Sequence, residues 1–285
     1  PVRVLRRSGI VQDQQPPVFL TDVLQVDGRQ MIKPFAIGLS NRHNLLFDLE
    51  QAQLSGWRRG DVARQRTKGK TWFWEAAGLE VLSPRITGTD LALSRQGKAW
   101  QATANGQFLS ELDSVKYLAD GIEFRYRLRF VSENPAEPAM LRITQRITTR
   151  ENTRSVENEQ SLVESGWSGF RRAVEIQGCH PGDQLVLQVL ATDSETPLVL
   201  ATEGREIRLS DGMTRIRAAR SFEATGTLAA IADGQGIARF TVDYQTSLPV
   251  DQFPGLPQKQ TAIEPVNLQV VPGFRATRLP LNQDL

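Results

Sequence analysis

The stretch Ile122-Glu123-Phe124-Arg125-Tyr126-Arg127-Leu128-Arg129-Phe130 decides the fold class of this chain. Every even position in it is apolar, and Glu or Arg occupies every odd position through 129. Successive side chains of a β-strand point to opposite faces of a sheet, so this alternation predicts a strand with one buried face and one face in water.

Similar alternation extends along the chain on both sides of this stretch. It predicts strands at 18–26, 140–149, 170–176 and 237–244, and Asp27-Gly28 predicts a tight hairpin turn. No segment of ten or more residues has the period of an amphipathic helix. The pattern predicts an all-β fold, and we expect a large two-sheet antiparallel β-sandwich of the supersandwich type, as in galactose-mutarotase-like carbohydrate proteins.

Composition divides the chain into three parts. Residues 1–17 are basic and then rich in Gln and Pro, which indicates a strand followed by a linker. Residues 18–248 form the predicted sandwich domain. Residues 249–285 are rich in proline, which fixes φ and removes a backbone donor, so they are predicted to be an extended strap toward a following domain. The chain begins at Pro1 without a signal peptide, so we expect a mature protein or an excised fragment.

The composition argues against several functional classes. Lys and Arg number 34 against 32 Asp and Glu, and the two signs interleave, which is typical of a solvated strand face and not of a nucleic-acid interface. One cysteine excludes an intrachain disulfide, and two histidines make a histidine-rich metal site implausible. The sequence contains no apolar window of about 18 residues, so it predicts no membrane-spanning helix. The polar stretch 61–71 is predicted to be a long loop, a common location for function.

His43 and Asp48 form the first candidate site. A histidine and a carboxylate could act as an acid–base pair in a sugar site, and the alternative interpretation of His43 is a surface histidine in a turn. Cys179 and His180 are adjacent, and adjacent side chains of an extended segment point apart, so they are not expected to converge.

Carboxylates on alternating strands are a further possibility. Glu123, Glu175 and Asp243 belong to this group, but no spacing in the sequence singles out a glycosidase pair, because that pair is defined in space.

Trp57, Trp72 and Trp74 form the second candidate site. Trp72 and Trp74 share one face of a strand, and if Phe73 faces the core, both indoles face outward. Three interpretations remain open: core packing, contact with a neighbouring domain, and stacking on sugar rings. These three tryptophans, with His43 and Asp48, are the predicted binding residues, and no catalytic residue is assigned.

Two stretches of the sequence, at 36–74 and in the last part of the chain, have a recognisable pattern. Their residues are Ala36-Ile37-Gly38-Leu39, Asn44-Leu45-Leu46-Phe47-Asp48-Leu49-Glu50, Leu54, Gly56-Trp57, and Pro272-Gly273-Phe274-Arg275-Ala276-Thr277-Arg278-Leu279-Pro280-Leu281. This pattern resembles that of large secreted proteins of planctomycete-type bacteria, which join a cytochrome c haem domain, a β-rich domain and a sorbosone-dehydrogenase-like propeller.

The resemblance implies a non-catalytic module of a secreted or periplasmic multidomain redox protein. Its partners would be the neighbouring haem and propeller domains, with carbohydrate as a further contact. The chain departs from the family pattern at 61–71, where a basic segment replaces a Gly-rich loop, and it lacks the CxxCH haem-attachment motif, so no cofactor is expected in it. The alternative is a carbohydrate-active lyase, epimerase or hydrolase with its site on the concave sheet. That alternative requires carboxylates or a histidine that converge in a cleft.

Overall fold

The computed structural model describes residues 17–68, 71–84, 86–104, 108–132, 138–151, 166–191 and 199–247. These residues form 21 strands and no helix, so the all-β prediction is confirmed. No helix that could cross a membrane occurs among them. The strand and linker predicted at 1–17 lie outside the described residues except for Pro17, as does the strap predicted at 249–285.

The strands have the following bounds in chain order. They are β1 Val18–Leu20, β2 Leu24–Val26, β3 Arg29–Met31, β4 Pro34–Gly38, β5 His43–Asp48, β6 Gln53–Arg59, β7 Ala63–Lys68, β8 Thr71–Ala76, β9 Leu79–Leu82, β10 Leu91–Arg95, β11 Lys98–Thr103, β12 Ser110–Tyr117, β13 Gly121–Val131, β14 Ala139–Glu151, β15 Ser168–Gln177, β16 Gln184–Gln188, β17 Val199–Ala201, β18 Glu206–Arg208, β19 Thr214–Ala218, β20 Thr227–Ile231 and β21 Ile237–Thr246.

The strands are arranged in three sheets. A five-stranded sheet has the order β1-β4-β5-β6-β9. A twelve-stranded sheet has the order β17-β18-β19-β21-β15-β14-β13-β11-β10-β16-β20, with β12 also paired to β13. A four-stranded sheet has the order β3-β2-β8-β7. The central pairings of the large sheet are antiparallel, whereas β2 pairs with β8 in parallel.

The alternation at 122–130 is realised in β13, at the centre of the large sheet. Ile122, Phe124, Tyr126 and Leu128 are fully buried and belong to the main core, while Arg125 is exposed on the opposite face. Burying these side chains removes apolar surface from water, which is the main source of stability for such a fold.

The Asp27-Gly28 turn also forms as predicted, between β2 and β3. Asp27 and Gly28 have φ values of 48° and 80°. A two-residue hairpin of type I′ requires positive φ at both central positions, which Asp-Gly adopts readily.

The five-stranded sheet is a middle layer with both faces covered. Leu45 and Phe47 of β5 join the main core, which this sheet shares with the large sheet. Ala36 and Leu46 face the other way, into a second cluster that includes Trp74 of the four-stranded sheet. The β-sandwich is thus confirmed, and the four-stranded sheet covers the outer face of its smaller layer. Burial on both faces explains why β4 and β5 read as apolar runs.

The prediction of a long loop at 61–71 is wrong. Residues 63–68 form β7, the edge strand of the four-stranded sheet, which pairs with β8. Arg64 and Arg66 donate hydrogen bonds to Glu75 at 2.7 and 2.8 Å. An exposed edge strand has little apolar surface to bury and is commonly charged, so it lacks the alternation that identifies the inner strands.

Candidate functional site

His43 lies in the core and not in a surface turn, because it is the first residue of β5 and is fully buried. The Trp57 indole Nε1 donates to His43 Nδ1 at 3.0 Å, and His43 Nε2 lies 3.0 Å from Ser168 Oγ. An indole N–H can only donate, so Nδ1 must accept and the ring proton of the neutral histidine is on Nε2. His43 therefore donates to Ser168 and cannot act as the base that would activate it.

Burial keeps the ring of His43 neutral. Desolvation and the charge of Arg59 lower the pKa of His43 to about 3. Ser168 belongs to β15 of the large sheet, and His43 belongs to the five-stranded sheet. The contact is thus a polar link between the two main layers.

Asp48 does not meet His43, so the predicted acid–base pair does not form. The two residues occupy opposite ends of β5, roughly 16 Å apart for five steps along a strand. They also point to opposite faces, since their positions differ by an odd number. Asp48 accepts a hydrogen bond from the Glu50 amide at 2.8 Å, which stabilises the turn after the strand. Burial raises the pKa of Asp48, although backbone donors oppose the rise.

Two of the three candidate tryptophans are core residues. Trp57 is fully buried and packs edge-on against Phe170 and Tyr244, with ring centroids 5.4 and 6.2 Å away. Trp74 is buried in the second cluster, so the outward orientation considered for it is wrong. Neither ring offers a face to a ligand. Trp72 lies in β8, but its side chain falls outside the described part of the structure.

A buried ion pair that sequence reasoning missed lies in the same core. Arg172 of β15 donates to Asp90 at 2.7 Å, and both side chains are fully buried. Arg172 also donates to Gln145 at 2.8 Å, and Gln145 donates to the Tyr126 hydroxyl at 2.6 Å. Asp90 further accepts the Leu54 amide of the five-stranded sheet at 3.1 Å. This polar network, like His43, connects the two main layers.

The proton states of this pair follow from opposing effects. Burial raises the pKa of the Asp90 carboxyl, and the Arg172 guanidinium opposes the rise. Burial disfavours the charge of Arg172, but the Asp90 carboxylate outweighs it and raises the pKa of Arg172. The guanidinium therefore stays charged, and its contacts are structural.

The outer face of the large sheet carries the other candidate carboxylates, each in an ion pair. Glu123 accepts from Arg146 at 2.8 Å and from Arg125 at 3.0 Å, and these contacts hold its pKa below the usual range. Burial opposes ionisation of Asp243, but the hydrogen bonds and positive charges of Arg171, at 2.7 Å, and Arg150 together outweigh it and lower the pKa of Asp243.

Glu175 completes the set. Hydrogen bonds from Gln177 and Arg239, at 2.8 and 2.9 Å, lower its pKa. A glycosidase acid needs the opposite, a carboxyl whose pKa is raised so that it holds a proton near neutral pH. Glu123, Glu175 and Asp243 are therefore ionised partners of arginines.

Cys179 and His180 point apart, as expected. Cys179 is buried and His180 is exposed. Burial and the nearby Asp183 raise the pKa of the Cys179 thiol to about 11, which leaves it protonated and a poor nucleophile. Among the residues that the structure describes, no group of three His, Cys, Asp or Glu side chains could hold a metal ion.

A groove of about 630 Å³ brings apolar and charged side chains together. It lies where the β3–β4 connection meets β12 and β13, and its lining includes Ile32, Lys33, Phe108, Glu111 and Arg127. Lys33 Nζ lies 3.8 Å from the centre of the Phe108 ring, and Arg127 pairs with Glu111 at 3.0 Å. Ile32 is half exposed. The groove thus combines apolar walls with two cations and a carboxylate.

Arginines extend from this groove onto the outer face of the large sheet. Arg127, Arg129 and Arg142 form what we term the arginine cluster. Arg127 and Arg129 share one face of β13, and Arg142 of β14 lies directly opposite Arg127. The alternation at 122–130 placed Arg127 and Arg129 on the wet face, but nothing in the sequence linked them to Arg142 or to the groove.

No protein-family model matches this chain, and a search of curated proteins found no match. Its function is therefore proposed from the geometry of the described residues and from the resemblance at 36–74 and 272–281.

Proposed function

We propose that this chain is a non-catalytic structural and binding module of a secreted or periplasmic multidomain redox protein. The observation that carries the non-catalytic role is the state of the candidate acid–base groups. His43 is neutral, buried and hydrogen-bonded at both nitrogens. Glu123, Glu175 and Asp243 are ionised partners of arginines. General acid–base catalysis needs groups that can exchange a proton with a substrate, and these groups are engaged elsewhere.

The edges of the large sheet support a docking role. Val199 on β17 is 58% exposed, and Ile231 on β20 is 69% exposed. These strands are the two ends of the sheet. Edge strands offer unpaired backbone groups with which another chain can pair. In the proposed setting, the neighbouring haem and propeller domains cover these edges, and the resemblance supplies their identity.

The purified chain tests the proposal. We expect no Soret band, since haem belongs to a neighbouring domain, and no conversion of a panel of neutral and acidic polysaccharides. The gene of the parent protein should encode a CxxCH motif upstream and a propeller downstream. A stoichiometric Soret band, or turnover of any polysaccharide by the chain alone, would contradict the proposal.

The rival, a carbohydrate-active enzyme, makes a different prediction. Its activity would depend on at least one of the ionised carboxylates of the outer face. If turnover is found, at least one of the variants Glu123→Gln and Asp243→Asn should abolish it while the protein stays folded. Activity that survives both changes would locate the chemistry elsewhere in the chain.

A further inference from the structure

The arginine cluster concentrates positive charge at one end of β13 and β14. Side chains two residues apart on a strand are separated by roughly 6.6 Å, which is the spacing of Arg127 and Arg129. Residues directly opposite on paired antiparallel strands have Cα atoms about 5 Å apart, which is the relation of Arg127 and Arg142. Three guanidinium groups therefore share one small area of the sheet.

Two members of this cluster differ from the arginines around them. Arg129 and Arg142 have no ion-pair partner among the described residues. Elsewhere on the same face, arginines are paired with carboxylates. These paired arginines are Arg125 and Arg146 with Glu123, Arg150 and Arg171 with Asp243, Arg208 with Glu206, and Arg239 with Glu175.

The cluster leaves two cations available to a ligand. Arg127 and Arg142 lie directly opposite each other. Glu111 and Asp113, both 3.0 Å from Arg127, compensate the charge of Arg127. The charges without a carboxylate partner among the described residues are therefore those of Arg129 and Arg142, and a ligand with anionic groups would pair with them. Guanidinium groups suit this role because they bind carboxylate and sulfate oxygens with two parallel hydrogen bonds.

The adjoining groove supplies a second, independent feature. Arg127 lines it, so the groove and the cluster are continuous. A volume of about 630 Å³ lies within the range of small-ligand sites. Ile32 and Phe108 give it an apolar wall, and Lys33 adds a cation. The apolar face of a sugar ring packs well on such a wall, while a charged substituent reaches the cations.

The mixture of charges distinguishes between polyanions. Glu111 and Asp113 stand beside Arg127, and their ionised carboxylates can accept hydrogen bonds but cannot donate them. Sugar hydroxyls can donate hydrogen bonds to these carboxylates, whereas the backbone of DNA has no hydroxyl to offer. We propose that the groove and the arginine cluster bind an acidic glycan, an oligosaccharide that carries carboxylate or sulfate groups. The inference rests on the proposed binding function and specifies its ligand class.

Titration calorimetry with four probes tests the inference. The probes are an oligogalacturonate for carboxylates, dextran sulfate for sulfates, neutral dextran, and a DNA oligonucleotide. The test variant is Arg129→Gln/Arg142→Gln. The matched control is Arg208→Gln/Arg239→Gln, which removes the same charge from the same face at sites two or more strands away from β14. Glu206 retains Arg217 at 3.0 Å and Glu175 retains Gln177 in this control.

We expect at least one acidic glycan to bind and neutral dextran not to bind. The test variant should weaken that binding by about tenfold or more, with a melting temperature equal to or above that of the parent protein, because neither arginine has a carboxylate partner among the described residues to lose. The control should bind within about twofold of the parent. Added salt should weaken binding in the parent protein.

Three results would overturn the inference. They are no binding of either acidic glycan, tighter binding of DNA than of both glycans, and equal effects of the test and control variants. Reducing ends and unsaturated products are measured in the same samples. Product formation would contradict the proposed non-catalytic function and leave the glycan site standing, so the two failures are distinguishable.

Discussion

Arginine–carboxylate ion pairs occur in two regions of the large sheet, and their loss is expected to affect stability very differently in the two. In the core, Arg172 and Asp90 form an ion pair with no exposed surface. On the outer face, Arg239 pairs with Glu175 at a similar distance, 2.9 Å, but its side chain is 57% exposed. If one partner of a buried pair is removed, the other charge stays in a medium that solvates it poorly. If one partner of an exposed pair is removed, water solvates the other charge.

The difference indicates which polar residues are available for function. In the core, His43 contacts Ser168 across the two main layers, and Arg172 donates hydrogen bonds to Asp90 and Gln145. Exposed arginines on the outer face, such as Arg239, keep much of their side chain in contact with water. Burial, and not residue type, separates the polar residues committed to the fold from those that are open to solvent.

The largest expected effect is the loss of one partner from the buried pair. Arg172→Met should reduce the free energy of unfolding by about 3–5 kcal/mol, because Asp90 is left buried without its countercharge. Urea denaturation followed by tryptophan fluorescence measures it. A decrease in the free energy of unfolding of less than about 1 kcal/mol would contradict the prediction, because it is the size expected for an exposed ion pair.

The double variant Arg172→Met/Asp90→Asn sharpens this prediction. It removes both charges and retains an oxygen that can accept the Leu54 amide. We expect it to recover part of the loss, since the interaction energy of two contacting residues is not additive. Simple addition of the two single-variant losses would show that the charges are not coupled.

The next effect is a pH dependence that originates at His43. Its pKa is about 3 in the folded protein, against about 6.5 for a histidine in the unfolded chain. Below 6.5 the unfolded chain binds a proton that the folded protein does not, so this contribution to stability is complete above 6.5 and declines as the pH falls toward 3. The decline should be about 2 kcal/mol between pH 7 and pH 5.

His43→Gln provides the comparison for that measurement. This variant should be less stable than the parent protein at pH 7 but should lack the same decline toward pH 5. The difference between the two proteins isolates His43 from Asp48 and Asp90, whose raised pKa values act in the opposite sense. Parallel stability curves for the two proteins would contradict the assignment.

The smallest effect belongs to the outer face. Arg239→Gln should change the free energy of unfolding by less than about 1 kcal/mol, because the pair with Glu175 is exposed and screened by salt. Chemical denaturation at low and high salt measures it. A loss comparable to that of Arg172→Met would remove the distinction between the two regions.

Much of the fold could be predicted from period-two alternation. The alternation at 122–130 correctly separated the buried from the exposed face of β13. The same alternation in β14 and β15 indicates two buried polar residues. Arg172 and Gln145 occupy inward positions between apolar residues, in Phe170-Arg171-Arg172-Ala173-Val174 and Ile143-Thr144-Gln145-Arg146-Ile147, and so were readable as buried polar residues.

The remaining features depend on which strands meet in space. Asp90 lies 82 residues from Arg172, and no local pattern joins them. His43 looked like a turn residue because Arg42 and Asn44 are polar, yet it begins a strand of the middle layer, which is buried on both sides. The groove depends on the meeting of Lys33, Phe108 and Arg127 from distant segments. Alternation shows on which face of a sheet a side chain lies, but not which residue of another strand it contacts.

The central claim is that His43 serves the fold while the arginine cluster serves binding. The most direct test is the Kd of His43→Gln for the acidic glycan that the parent protein binds, measured well below the melting temperature of the variant. We predict a Kd within about twofold of the parent value despite the lower stability. A folded His43→Gln protein that no longer binds the glycan, while Arg129→Gln/Arg142→Gln still binds it, would contradict the claim.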